Sequence, residues 1–332
     1  MKKRYLLAGG LGLVAGAVAT KLLTRPRDVR WSDSINLIYH PEHSWFTTID
    51  GVRMHYQEAG DEKAPPMILI HGFISSTLIW SDVFLPLAQA GFRVIAPDLP
   101  GYGYSEKPRD GDYTIESQAH AVAGLMDRLG IEKAVVVGAS YGAAIAAALA
   151  LDHPERVDRL VLIGAVSNDE PKKKLLLRIL RLPLVGDVVT PLFLGSRWIL
   201  RKRTEEVYRR IGLPLDEHKL AARHHLLATA NTHRTMIRTV RRWSANRIAR
   251  DAHLIRQPTM LVWGEDDGHI PLSDGFRLRD AMPKARLIVF RNCGHLPPQE
   301  FPKQFVGLVS EFCKAEEKKA ASLKFKRRKT RK

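Results

Sequence analysis

Two cysteines in 332 residues, Cys293 and Cys313, are too few and too far apart for a disulfide framework, and neither has the spacing of a zinc or haem site. Both are expected as free thiols. No internal repeat is visible, which sets solenoids and propellers aside. Acidic residues are also scarce, 35 against 52 Lys and Arg, leaving a formal net charge of +17. That excess is unevenly placed. Residues 1–30 hold seven Lys or Arg against one acid, residues 168–253 nineteen against eight, and residues 314–332 ten against two. What remains is mildly acidic, so the basic character belongs to two ends and one middle segment. A nucleic-acid-binding fold is expected to carry such charge on its own framework, and none is predicted here. The 45% hydrophobic content is that of a folded chain long enough for one large α/β domain or two smaller ones.

The N-terminus reads as Lys2-Lys3-Arg4 followed by the uncharged stretch Tyr5 to Thr20. Sixteen residues fall short of the roughly 20 that span a bilayer core, but Lys21 can snorkel. An uncleaved single-pass anchor over residues 1–30 is the expectation, its side of the membrane open. A cleaved signal ending at Ala17-Val18-Ala19 and a buried helix are the alternatives; Lys21, Arg25, Arg27 and Arg30 directly after the cut argue against export. Gly12 and Gly16 form a GxxxG pair that carries no weight alone.

After a charged linker, residues 24–44, strands and helices alternate. A hairpin is predicted around Asp50-Gly51, then buried strands at Met67 to Ile70 and Phe92 to Ala96, with helices at Thr77 to Ala90 and Thr114 to Leu129. The apolar run Val135-Val136-Val137 ends in Gly138-Ala139-Ser140-Tyr141-Gly142 and restarts as an alanine-rich helix, the turn that mounts a serine nucleophile. One more strand follows, Arg159 to Ala165. Then strand signals stop from Val166 to His253, a basic helical stretch punctuated by Pro171, Pro183, Pro191 and Pro214. Strands resume at Pro258 to Gly264 and Arg286 to Phe290, around a helix at Leu272 to Met282, and a helix from about His295 to Phe312 closes the pattern.

The expected fold is therefore a mainly parallel, doubly wound α/β sheet with an inserted helical cap and an N-terminal membrane-anchor helix. Its parts are a core in two pieces, residues 31–167 and 254–313, the cap at 168–253, and a disordered basic tail at 314–332. Ligands of such sheets bind beyond the carboxyl ends of the strands, where His71-Gly72-Phe73, Asp98 and Ser140 fall together. A serine nucleophile needs a base and a group that orients it. Later strand ends supply candidates, Gly264-Glu265-Asp266-Asp267-Gly268-His269-Ile270-Pro271 and Asn292-Cys293-Gly294-His295.

With these motifs in this order, from about Trp45 to Phe312, the chain resembles the α/β-hydrolase superfamily, in particular its serine esterase and lipase-like members with a helical cap. The matching pieces are His71-Gly72-Phe73, Asp98-Leu99-Pro100-Gly101-Tyr102-Gly103, the Ser140 turn, Gly264-x-x-Asp267-x-x-x-Pro271 and Cys293-Gly294-His295. The resemblance implies Ser140 as nucleophile, His295 as general base and acid, Asp267 as its partner, and the Phe73 and Tyr141 amides as oxyanion hole. It implies neither metal nor cofactor. Asp266 and Glu265 are rivals of Asp267, but the family spacing after Gly264 and before Pro271 selects Asp267; His71, His153 and His269 are rivals of His295, which the resemblance implies as the base. Asp98 and His71 are read as structural, Cys293 as a buried filler, and Trp198 and Trp243 as either pocket or packing. Relatives with aspartate at the elbow, the haloalkane dehalogenases and epoxide hydrolases, are set aside by Ser140. The expected reaction is hydrolysis of a carboxylic ester with a lipophilic acyl group, near a membrane that the N-terminal segment and the basic cap contact. A carbon–carbon bond hydrolase, a perhydrolase-like enzyme and a non-catalytic tethered binding module are the alternatives.

Overall fold

The computed structural model describes residues 15–16, 18–170 and 175–329, the last stretch by its backbone alone from residue 316 on. Eight strands form one sheet: β1 Ser44–Ile49, β2 Val52–Ala59, β3 Pro66–Ile70, β4 Arg93–Pro97, β5 Ala134–Ala139, β6 Val157–Ile163, β7 Thr259–Gly264 and β8 Ala285–Phe290. Their order in space is β1-β2-β4-β3-β5-β6-β7-β8. The pairs β1·β2 and β2·β4 are antiparallel and all others parallel, so β2 alone runs against the rest. Asp50 (φ 49°) and Gly51 (φ 78°) turn β1 into β2, because a two-residue hairpin needs positive φ at both positions to match strand twist.

Alternation along the strands divides the core in two. Ile68, Ile70, Val136, Leu160, Leu162 and Leu261 point to one face, and Met67, Leu69, Val135, Val137, Val161 and Val262 to the other. The first face is covered by α2 Ile115–Arg128, α3 Tyr141–Asp152 and α10 Leu272–Ala281, the second by α1 Phe84–Gln89 and α12 Pro302–Lys329. With ten of its twelve residues buried, α3 is apolar on every side, as a helix enclosed by protein must be.

Between β6 and β7 the chain runs through α4 Leu175–Arg181, α5 Val185–Leu194, α6 Arg197–Arg210, α7 Glu217–Leu227, α8 Ala230–Arg242 and α9 Asn246–Asp251. Two expected helices are broken. Thr77–Trp80 is a short 3-10 turn separate from α1, since the Thr77 amide is drawn to Asp98 Oδ1 (2.7 Å) and Ser76 caps the turn. The closing helix is split at Phe301-Pro302 into α11 Pro297–Glu300 and α12, because the residue before a proline avoids helical geometry.

The expected single-pass anchor is corrected. Among the described residues no helix is long and apolar enough to cross a membrane. Residues 1–14 and 17 lie outside the described residues. Residues 18–24 are helical but carry the charge of Lys21, and the helix stops before Arg25-Pro26. From there the chain folds back on the protein. Pro26 and Arg27 carbonyls accept from the Ala230 and Asn231 amides (2.8 and 2.9 Å), and Asp28 pairs with the buried Lys107 ammonium at 3.0 Å. Trp31 packs edge-on against Phe46 and Tyr104, and Ser34 Oγ meets His225 Nε2 at 2.8 Å. What reads as a linker is a strap joining the helical segment to the sheet.

Candidate active site

Parallel register aligns the strand ends at one rim. Ile70 pairs with Gly138, Ala139 with Ile163, Ile163 with Val262, and Gly264 with Phe290. The residues that follow, His71-Gly72-Phe73, Ser140, Gly164, Asp267 and His295, therefore come off neighbouring strands in the order β3, β5, β6, β7, β8.

Ser140 occupies a backbone conformation that only strain permits, φ 57° and ψ −115°. Such a position costs on the order of 1–3 kcal/mol and persists only where surroundings fix it. Here they do. The Ser140 amide donates to Ile163 O (2.7 Å), and its carbonyl accepts from Ala143 N (3.1 Å) and Val166 N (3.2 Å). The turn also brings β5 and α3 too close for side chains. A Cβ on Gly138 would lie 2.3 Å from the Gly142 carbonyl oxygen, and one on Gly142 2.3 Å from that of Ile70. Gly138→Ala is expected to lower the melting temperature by several degrees and to cost activity, read by thermal denaturation beside ester turnover; unchanged values contradict this packing.

Asp267 and His295 are joined. His295 Nδ1 donates to Asp267 Oδ2 at 2.7 Å, while Asp267 Oδ1 accepts from the His269 and Ile270 amides at 2.8 and 3.0 Å. Burial pushes this carboxyl upward, but the His295 hydrogen bond and charge and the two amides outweigh it and hold it below its ordinary 3.8. The bond fixes the His295 tautomer, leaving Nε2 as the acceptor. Gly164 makes room: a Cβ there would sit 3.0 Å from the His295 ring and 3.1 Å from Asp267 Oδ2. His269 stacks on His295, centroids 4.8 Å apart and planes at 26°. Asp267, His269 and His295 present three metal-ligating groups within 4.8 Å of one another. The Asp267 oxygens are both already committed to hydrogen bonds, which disfavours their turning to an ion.

Tyr141 is the first residue of α3, so its amide is an orphan donor at a helix N-terminus. The Phe73 ring meets Tyr141 at 6.4 Å and Trp243 at 5.7 Å, and Trp243 packs on Tyr141 at 4.8 Å. Trp243 is thus buried against both oxyanion-hole candidates, with no hydrogen-bond partner for its indole nitrogen among the described residues, whereas Trp198 is 66% exposed. The residue after Phe73, Ile74, has φ 57°, a strained value for a β-branched side chain.

The rivals fall into structural places. Asp98 is fully buried and accepts from Thr77 N, His55 Nδ1 (2.8 Å) and Tyr104 N (2.9 Å). Burial raises its pKa, yet the His55 bond and charge, His71 and the Tyr104 amide leave it below the ordinary 3.8. His71 Nε2 accepts from Leu99 N (3.1 Å), and burial lowers its pKa so that it stays neutral. His153 lies at the surface, and His224 Nε2 reaches Gly195 O inside the cap helices. Cys293 is buried, and burial raises its thiol well above the usual range. Because Asp98 and Asp267 are both depressed, the stability they add is fully present above pH 3.8 and lost as pH falls through their lower folded values. Asp98→Asn is expected to remove part of that acid limb in melting temperature against pH; an unchanged limb contradicts the assignment.

One group escaped the sequence reading. Glu300, on α11, is buried and accepts from Gly294 N (2.9 Å) and Leu296 N (3.5 Å), the amides either side of His295. Arg210, at the end of α6, completes it at 3.4 Å and lies where a Gly294 side chain would be. Glu300→Ala is expected to cost about 1–3 kcal/mol, the penalty of orphaned buried donors, and Arg210→Ala less, measured by urea denaturation. Equal effects would place the support elsewhere.

Residues 65–302 match the family model of the alpha/beta hydrolase fold. The chain is 30% identical over 270 residues to a 2-hydroxymuconate semialdehyde hydrolase from a Pseudomonas species, covering 79% of this chain and 90% of that one. Among solved structures it is similar to a membrane phospholipase A, with 26% identity, 94% and 98% coverage and a TM-score of 0.71. It is also similar to an esterase from a Rhodococcus species, with 26% identity, 81% and 98% coverage and a TM-score of 0.64. A family model matched over most of the chain, on a sheet with this strand order and this strained serine, leaves one conclusion: the protein belongs to the alpha/beta hydrolase fold family.

Proposed function

We propose that this hydrolase cleaves carboxylic esters with lipophilic acyl groups through an acyl-enzyme on Ser140. The observation that carries the reading is the 2.7 Å bond from His295 Nδ1 to Asp267, which leaves Nε2 as the unprotonated nitrogen of a base that follows β8, on the same rim as the strained Ser140 after β5. In the reaction His295 Nε2 takes the Ser140 Oγ proton as Oγ attacks the carbonyl carbon. Asp267 stabilises the imidazolium, and the oxyanion is received by the amides of Phe73 and Tyr141. Each such donor is worth about 3–4 kcal/mol of barrier. Collapse expels the alcohol, which leaves with the proton from His295; water then repeats the sequence on the acyl-enzyme and frees Ser140.

Support for an ester comes from the phospholipase and esterase likenesses, and support for a lipid-like one from the phospholipase and from the basic charge of residues 168–253, which suits contact with a lipid surface. A second reading, carbon–carbon bond hydrolysis by the same residues, is favoured by the likeness to 2-hydroxymuconate semialdehyde hydrolase. A panel of p-nitrophenyl esters of rising chain length, run beside 2-hydroxymuconate semialdehyde, separates them. Turnover of the longer esters with none of the semialdehyde is the expected result; the reverse selects the second reading.

A further inference from the structure

The helix α5, Val185 to Leu194, carries one charged residue, Asp187, yet it lies at the surface. Apart from Asp187, which pairs with Arg241 at 3.7 Å, its outer side is apolar, and an exposed apolar helix face is expected against something that is not water. Its inner side, Gly186, Thr190 and Pro191, is buried, while Val185 and Val188, one turn apart, are exposed. Leu184 caps it with φ 63° and is 80% exposed, so the chain holds a leucine in a conformation that disfavours it and presents it to solvent. Leu175 and Leu182 before α5 and Phe193 and Trp198 after it are exposed as well.

The charge around this ridge names its partner. From Leu175 to Thr204 six Lys or Arg stand against the single acid Asp187. Arg178 and Arg181, exposed on α4, have no acidic partner among the described residues. Apolar side chains rimmed by unpaired arginines complement a surface that is hydrocarbon below and anionic above. We propose that α4, α5 and the start of α6 form an interfacial docking surface for anionic lipid, seated with Leu184, Val185 and Val188 at the headgroup boundary. The proposal rests on the reading of the protein as a hydrolase of lipophilic esters and adds the surface from which it takes them.

The test uses the full chain. Wild type, Leu184→Asp/Val188→Asp and Arg178→Gln/Arg181→Gln are sedimented with vesicles of phosphatidylcholine alone or mixed with phosphatidylglycerol. The aspartate pair is expected to weaken binding to mixed vesicles by about tenfold, and the glutamine pair to reduce the preference for them by a similar factor. In parallel, brominated lipid is expected to quench a component of the fluorescence that Trp198→Phe removes. All three variants keep wild-type turnover of a short soluble ester. Vesicle binding unchanged in both double variants, no quenching traceable to Trp198, or a wild-type dimer that the aspartate pair dissociates would overturn the proposal, the last by seating a second copy on the ridge. Vesicle binding as expected with no ester turnover by wild type refutes instead the hydrolytic reading.

Discussion

Ser140→Ala is expected to lower kcat for a p-nitrophenyl ester by about 10⁴-fold or more and to leave the melting temperature within a few degrees of wild type. The size follows from chemistry. Without the hydroxyl there is no covalent intermediate, and only binding and the oxyanion donors remain to speed attack by water. The small effect on stability follows from structure. Alanine keeps the Cβ, and the Ser140 backbone is held by Ile163 O, Ala143 N and Val166 N rather than by its side chain. Steady-state kinetics and thermal denaturation on one preparation check both halves. A fall of less than tenfold in a folded protein would move the nucleophile elsewhere.

Asp267→Asn is expected to cost about 10⁴ in kcat, nearly as much, through its bond to His295. An amide in place of the carboxylate donates to His295 Nδ1 instead of accepting from it, so the proton moves to Nε2 and the base faces Ser140 the wrong way. The Asp267 carboxylate also offsets the imidazolium charge. Because it is held below its ordinary 3.8, it stays ionised further into acid than a free carboxyl, and any loss of activity from its protonation is moved to correspondingly lower pH. Asp266→Asn, one residue earlier, is expected to change kcat by less than about threefold, since the carboxylate that bonds His295 is that of Asp267. A large loss at Asp266 with little at Asp267 would reverse the assignment.

Much of this arrangement is legible in the chain because it depends on neighbours in sequence. Asp50-Gly51 needs only its own backbone to turn a hairpin, and Gly138 and Gly142 flank the serine they serve. Asp267 and His295 are readable through their place after β7 and β8. The strap was not. Trp31, Ser34 and Tyr39 gain meaning only from Tyr104, His225 and Asp216, far along the chain, and their own stretch has the charge and prolines of a linker. The Arg210–Glu300 support was hidden for the same reason, being a contact between a helix inserted after β6 and one after β8. The anchor expectation failed differently. It weighed an uncharged run, whereas the described helix carries Lys21 and stops before Arg25-Pro26, and the residues that follow are bound to α8. Trp198 and Trp243 looked alike in sequence; burial against Tyr141 puts one at the site, and exposure puts the other beside the apolar ridge.

The central claim, that Ser140 takes up an acyl group with His295 as its base, is tested most directly by intact-mass and peptide analysis after treatment with a fluorophosphonate. One label per chain is expected, on the peptide holding Ser140, absent in Ser140→Ala and strongly slowed in His295→Ala. A folded wild-type preparation that takes up no label, or takes it up at another residue, would contradict it.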